Sequence, residues 1–384
     1  MQFRPFGKLD WKVSALGFGC MRLPILENDH SVINEEEAAR MVHLAIDQGV
    51  NYLDTAYMYH QGNSERFLGK ALKNGYREKV RLATKLPVHQ VKSLADCDRL
   101  LNEQLDRLQT DHIDYYLLHG LNGESWRSMQ SIGIIPWAQG AIASGRIHYL
   151  GFSFHDKLPA FKEIITASDL WSFCQIQYNF MDINEQAGTE GLKFAADHGL
   201  AVIVMEPLLG GKLANPTPAI QALWDQANPR RSPVEWALDW LWNQPEVSMV
   251  LSGMSTLSQV TENLVYADRS KVDCLSSDEG ALIDKVRDAY QQISPIPCTK
   301  CEYCLPCSNG LPIPQIFDIY NNVFKYGDLQ GGKRSYGWLP ESERANNCTE
   351  CGQCEDLCPQ HIAIRDWMVT IHKTLGEESQ VQKV

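Results

Sequence analysis

From residue 34 to residue 266 the chain alternates amphipathic stretches with short apolar runs, roughly 30 to 40 residues apart, as repeated βα units do. Runs such as Val80-Arg81-Leu82-Ala83-Thr84, Ile113-Asp114-Tyr115-Tyr116-Leu117-Leu118 and Ala201-Val202-Ile203-Val204-Met205 are rich in residues that suit strands covered on both faces. They predict parallel strands. Helix starts lie between them: Asn34 precedes Glu35-Glu36-Glu37, and Ser232-Pro233-Val234-Glu235 reads as a capping box with proline at the first helical position. Strands are expected near residues 15–20, 51–54, 80–84, 113–118, 148–152, 173–177, 201–205 and 247–251. Eight parallel strands with interleaved helices close into a (β/α)8 TIM barrel more readily than they form an open sheet. Gly17-Phe18-Gly19 lacks the remainder of a G-x-G-x-x-G fingerprint, which argues against a Rossmann fold.

Beyond the barrel pattern a further helix is expected at 277–292, opened by Ser276-Ser277-Asp278-Glu279. Ser294-Pro295-Ile296-Pro297 then forms a stiff linker, which sets the domains as 1–294 for the barrel and 295–375 for a small second domain. Ile313 to Asn322 suits a helix, so the second domain reads as mainly helical. The tail at 376–384 is polar enough to be disordered.

A chain of 384 residues accommodates one barrel and a small appended domain. With 35 Lys and Arg against 47 Asp and Glu, the formal charge of −12 disfavours nucleic acid and anionic membranes as partners. Small molecules or a basic protein fit better. Met1 to Phe6 has no apolar signal core, and no segment offers the ~18 to 20 apolar residues that span a bilayer, so a cytoplasmic location is expected.

Eight of the twelve cysteines fall in two runs, Cys298-x2-Cys301-x2-Cys304-x2-Cys307 and Cys348-x2-Cys351-x2-Cys354-x3-Cys358-Pro359. This is iron-sulfur spacing: three thiolates at i, i+3 and i+6 wrap one corner of a cubane, and the fourth cysteine of each run ligates the other cluster. One 4Fe-4S cluster is thereby expected on Cys298, Cys301, Cys304 and Cys358, and a second on Cys348, Cys351, Cys354 and Cys307. Zinc would favour paired C-x2-C knuckles, and a cytosolic chain would not keep disulfides. The two-residue gap before Cys307 departs from the usual bacterial run. Cys20, Cys97, Cys174 and Cys274 read as reduced core thiols.

In a βα barrel the reacting groups come from the C-terminal ends of strands. Three consecutive strands end in Asn51-Tyr52-Leu53-Asp54, Ala83-Thr84-Lys85 and Leu117-Leu118-His119, with Tyr59 in the loop after the first of them. Asp54, Tyr59, Lys85 and His119 form a coherent general acid. A free phenol has a pKa near 10, a neighbouring ammonium on Lys85 lowers it, and Asp54 keeps the buried Lys85 charged. His119 would orient a substrate carbonyl toward Tyr59. His155 reads as structural, His361 as exposed, and Trp236 and Trp240 as packing on one helix face.

Asp54-Thr55-Ala56-x-x-Tyr59, Lys85 and Leu117-Leu118-His119 resemble the Asp, Tyr, Lys, His tetrad of aldo-keto reductases over roughly residues 3–270. With the cysteine domain added, the chain is similar to the branch that carries a C-terminal 4Fe-4S ferredoxin-type domain. The resemblance implies an NADP- or NAD-dependent oxidoreductase that reduces a small-molecule carbonyl. It implies that Ser153 and Gln177 hold the nicotinamide carboxamide and that Leu208, Gly210 and Lys212 hold the pyrophosphate. Gly253, Met254, Ser255, Gln259, Glu262 and Asn263 would hold the adenosine end, with Gly19, Cys20, Met21 and Asp54 lining the cofactor as well. Three positions depart from the family. Phe154 follows Ser153 where asparagine is common, Met205 stands where an aromatic underlies the nicotinamide, and Gly253 and Gln259 replace the lysine and arginine that read the 2′-phosphate. Lys212 or an arginine outside the aligned positions would have to substitute.

Nicotinamide delivers two electrons as hydride, whereas each cluster takes one, and no flavin-binding motif joins the two chemistries. The primary reading is therefore a carbonyl reductase carrying two 4Fe-4S clusters. The alternative is an electron-relay or nucleotide-sensing protein whose clusters serve a redox protein partner at the C-terminal domain. The loops 122–137 and 207–230, expected to line the pocket, do not name a substrate.

Overall fold

The structure, a computed structural model, describes residues 1–376. The expected disordered tail, Gly376 apart, lies outside them. By contacts the chain forms two compact units. One holds Met1–Gly210 with Val234–Ser276, and the other holds Gly211–Pro233 with Ser277 onward.

In the first unit a two-stranded hairpin, β1 (Phe3–Phe6) and β2 (Leu9–Ser14), precedes eight parallel strands. These are β3 (Leu16–Gly19), β4 (Tyr52–Asp54), β5 (Arg81–Leu86), β6 (Ile113–Leu121), β7 (Ile147–Phe154), β8 (Trp171–Gln177), β9 (Ala201–Met205) and β10 (Val247–Gly253). They close as a barrel in chain order, β10 pairing with both β9 and β3. Each of the eight strands expected from the apolar runs is present. The Asn34 side chain caps the helix Glu35–Asp47 by accepting from the Glu37 N–H.

The two faces of each strand serve different cores. Leu53, Leu82, Tyr116, Leu118, Phe152, Cys174 and Val202 point outward into the ring of helices. Tyr52, Ala83, Tyr115, Leu117, Phe173, Ile203 and Met249 point inward and fill the barrel. By the two-residue period of a strand, the next inward positions are Asp54, Lys85, His119, Ser153, Gln175 and Met205. One register thus packs the lower barrel and delivers polar groups to its C-terminal mouth.

The hairpin is not among the elements expected from sequence. It plugs the opposite end: Phe6 and Val13 are fully buried with the inward residues, the Phe6 ring 4.9 Å from that of Tyr115. Its turn needs glycine, because Gly7 has φ 56° and a Cβ there would lie 2.4 Å from the Ala201 nitrogen.

In the second unit the helix Ser277–Gln292 forms where expected. It packs with Pro218–Trp224, and Lys285 Nζ donates to Gln226 Oε1 at 3.1 Å. The helix expected from Ile313 runs on to Tyr326 and stops at Gly327, which takes φ 64°. Ile316, Phe317, Tyr320, Tyr336, Met368 and Ile371 make a small core with the cluster-run cysteines at its edge.

Candidate functional site

Asp54 ends β4, Lys85 lies in β5 and His119 in β6, three adjacent strands of the barrel. Tyr59 opens the short turn Tyr59–Gly62, in which His60 and Gln61 take left-handed φ of 50° and 55°. Lys85 Nζ pairs with Asp54 Oδ1, donates to the Thr55 carbonyl at 2.8 Å and reaches the Tyr59 hydroxyl at 3.3 Å. The ring of His119 stands edge-on to Tyr59, centroids 6.0 Å apart. All four residues expected to form the tetrad come together.

Lys85 and Asp54 are each 1% exposed. Burial works to deprotonate Lys85, yet Asp54 and Tyr59 outweigh it and hold its pKa above the ordinary ammonium value. Tyr59 differs from the sequence expectation. Burial is the largest influence and pushes the phenol above its ordinary value; Lys85 opposes this, and Asp54 adds to it. The resting hydroxyl therefore keeps its proton across the physiological range. Burial, with Lys85, His155 and His89 nearby, pushes His119 down to about 3, so its imidazole is neutral. A protonated phenol beside an ammonium and a neutral imidazole can donate a proton to an oxygen that gains negative charge.

A second layer holds these groups, and sequence reasoning missed it. Gln175 Nε2 donates to Asp54 Oδ2 at 2.6 Å, and the fully buried Gln175 Oε1 has no protein partner among the described residues. Gln175 sits one inward step below Gln177 on β8, and the strand period was the signal that could have found it. Behind Lys85, buried Glu65 accepts from Thr84 Oγ1 and Gln104 Nε2, each at 2.7 Å, and from Arg107 at 3.2 Å. Gln104 Nε2 also donates to the Lys85 carbonyl at 3.0 Å. A carboxylate on an otherwise apolar helix face was the only sequence hint.

The residues expected along the cofactor are placed as follows. Ser153 Oγ accepts from the Gly120 N–H at 2.8 Å. Gln177 bonds Asp182 and Gln186, both at 3.0 Å. Cys20 is buried among outward-facing core residues and burial pushes its thiol far up, whereas Met21 is exposed. Gly19 pairs with Gly253 across β3 and β10. Leu208 and Gly210 follow β9 in a turn with Leu209 at φ 49° and Gly210 at φ 68°. Lys212, in the second unit, lies over the Tyr326 ring, 5.3 Å from its centroid. Met254 is buried; Gln259 Oε1 accepts from the Ser255 N–H at 2.8 Å, Glu262 from Ser258 at 3.2 Å, and Asn263 donates to Ser252 at 3.0 Å. Gln259 and Asn263 thus fasten the loop itself. The unpartnered Gln175 Oε1 beside the tetrad suits the amide of a nicotinamide.

None of the twelve cysteines is in a disulfide. Cys298, Cys301, Cys304 and Cys358 line one hollow with Ile313, Phe317, Ile362 and Ile364. Cys307, Cys348, Cys351 and Cys354 line another, on whose wall Cys304 also stands. Thiol groups converging on two hollows are a donor set that fits iron-sulfur clusters. Cys20, Cys97 and Cys174 are buried elsewhere.

The sequence profile of the aldo/keto reductase family matches residues 15–288. The chain belongs to the aldo/keto reductase family. A 4Fe-4S dicluster domain matches residues 297–363 of this reductase. It is similar to an uncharacterized oxidoreductase of Bacillus subtilis, YqkF, with 28% identity over 303 residues, 71% of this chain and 93% of that one. It is also similar to L-galactose dehydrogenase of Arabidopsis thaliana, 26% identical over 309 residues, 73% of this chain and 92% of the plant protein. Among solved structures, the holo form of aldo-keto reductase AKR11C1 from Bacillus halodurans superposes with a TM-score of 0.63 at 29% identity, covering 74% of this chain and 96% of that one. The reductase is an oxidoreductase with an iron-sulfur domain. Among the described residues no helix is long and apolar enough to cross a membrane.

Proposed function

We propose that the protein reduces the carbonyl group of a small molecule to an alcohol, with Tyr59 as the proton donor. A nicotinamide dinucleotide, when bound, supplies the hydride. Tyr59 gives its hydroxyl proton to the carbonyl oxygen as that oxygen gains charge; Lys85 steadies the phenolate left behind, and Asp54 keeps Lys85 charged and aimed. His119, neutral, donates a hydrogen bond that orients the same oxygen. The observation that carries the reading is Lys85 Nζ, fixed by Asp54 and 3.3 Å from the Tyr59 hydroxyl. Ser153 and Gln175 would hold the nicotinamide amide, supported by the unpartnered Gln175 Oε1.

Eight cysteines would hold two 4Fe-4S clusters, one on Cys298, Cys301, Cys304 and Cys358 and one on Cys307, Cys348, Cys351 and Cys354. The grouping of the same cysteines around two hollows supports this pairing. A second reading, in which the clusters pass single electrons to a protein partner, draws on the exposure of Cys301 and Cys351. The action would be cytoplasmic.

The deciding experiment follows NADPH and NADH consumption against a panel of small aldehydes and ketones, on anaerobically prepared protein containing about eight irons per chain. Product alcohol in step with oxidised dinucleotide supports the reading. No consumption with any carbonyl in iron-replete protein overturns it.

A further inference from the structure

Gly253 and Gln259 leave the adenosine loop without a cation, and Lys212 lies over an aromatic ring. Arg22 sits elsewhere in sequence but at the same mouth. It ends the short turn Cys20–Arg22 that follows β3, the strand whose Gly19 pairs with Gly253 of β10. Its Cγ and Cδ lie 3.3 Å from where a Cβ on Gly253 would stand, and its guanidinium nitrogen lies 3.4 Å from where one on Gly210 would stand. Its carbonyl accepts from Ser255 Oγ at 2.8 Å, which ties the turn to the loop after β10. The side chain thus crosses from the end of β10 to the turn after β9, over two positions that offer backbone only. Among the described residues its guanidinium has no hydrogen bond and no carboxylate partner, and Arg22 is exposed.

We propose that Arg22 is the residue that binds a phosphate group of the dinucleotide, in place of a cation on the adenosine loop. The inference rests on the nicotinamide-dependent reading above. An arginine fork is suited to this task, since it offers parallel N–H donors to two phosphate oxygens and stays charged at every working pH. Gly253 has a matching role. Its backbone is in an ordinary region, and a Cβ there would crowd the Arg22 stem at 3.3 Å.

The test is an equilibrium titration of the intact, iron-loaded protein with NADPH and with NADH, read by the fluorescence of the reduced dinucleotide. R22A should weaken NADPH binding roughly 10- to 100-fold, the worth of a charge-assisted pair, with an unchanged thermal transition. Loss confined to NADPH assigns the contact to the 2′-phosphate, and equal loss for both assigns it to the diphosphate; either supports the proposal. In R22A/G253K the lysine would grow from the neighbouring strand into the vacated space, and recovery of NADPH affinity would support the exchange of cations. Unchanged affinity of R22A for both dinucleotides overturns the proposal alone. Wild-type protein that binds neither overturns the nicotinamide reading and the proposal with it.

Discussion

In the barrel, Lys85 and Asp54 are almost wholly buried, and protein groups fix them from several sides: the Thr55 carbonyl, Gln175, and the Glu65–Gln104 network behind the strand. In the cysteine-bearing unit the cluster cysteines sit on loops, except Cys354 in the short helix Gln353–Asp356. Cys301 and Cys351 are exposed, and the neighbouring Lys300, Glu302 and Glu350 take left-handed φ of 55°, 65° and 54°. The first arrangement is built by folding and is ready before any ligand arrives. The second leaves thiols converging on hollows that only metal can knit together. The barrel site can therefore survive damage that destroys an iron-sulfur site whose first cysteine, Cys298, lies far beyond His119 in sequence.

The largest expected effect tests the barrel half of this contrast. Tyr59→Phe should lower kcat for carbonyl reduction by about 10²- to 10⁴-fold, the usual worth of a placed general acid, while the dissociation constant for NADPH stays within about twofold. A kcat within a few-fold of wild type would mean that another group donates the proton. The cysteine half is tested by Cys301→Ser. Anaerobic protein should lose iron and show a separate low-temperature transition of the second unit in calorimetry, with the barrel transition unmoved. A single, unshifted transition at full iron content would erase the contrast.

A smaller effect comes from pH. His119 is held near a pKa of about 3 in the folded protein, against about 6.5 for a free histidine, so below pH 6.5 the unfolded chain takes up a proton that the folded one refuses. Stability present above that pH is lost as pH falls toward 3. At pH 5 the single group accounts for about 2 kcal/mol. Denaturant unfolding at pH 7 and pH 5 should show His119→Gln losing less stability than wild type by about that amount; equal losses would contradict a buried neutral imidazole. The smallest expected effect is none. Adding NADPH alone to flavin-free anaerobic protein should leave the cluster absorbance unbleached over a turnover, because hydride chemistry yields no one-electron product. Rapid bleaching would join the two halves and favour the relay reading.

What could be read in the chain follows the range of the interactions involved. Strands β3 to β10 announce themselves as local apolar runs, and the tetrad follows because three successive runs end in Asp54, Lys85 and His119. The cysteine spacing is equally local. Gln175 escaped because its partner Asp54 is 121 residues away, and Arg22 because its neighbours Gly210 and Gly253 come from the far side of the barrel seam. The Tyr59 phenol was misjudged for a related reason: the Lys85 charge is visible in sequence, but the burial that outweighs it is a property of the closed barrel. The hairpin was hidden by brevity, with Pro5 interrupting a four-residue strand.

That hairpin also shapes how the protein is made. It is made well before its partners: Arg4 bonds the carbonyls of Trp242 and Gln244, 238 and 240 residues later, and the Lys8 N–H bonds that of Gly199. At bacterial and eukaryotic elongation rates the wait is roughly 10 to 50 s. Throughout it Phe6 and Val13, fully buried in the finished barrel, have no cavity to enter. The nascent chain must carry this sticky hairpin until the last barrel strand is synthesised.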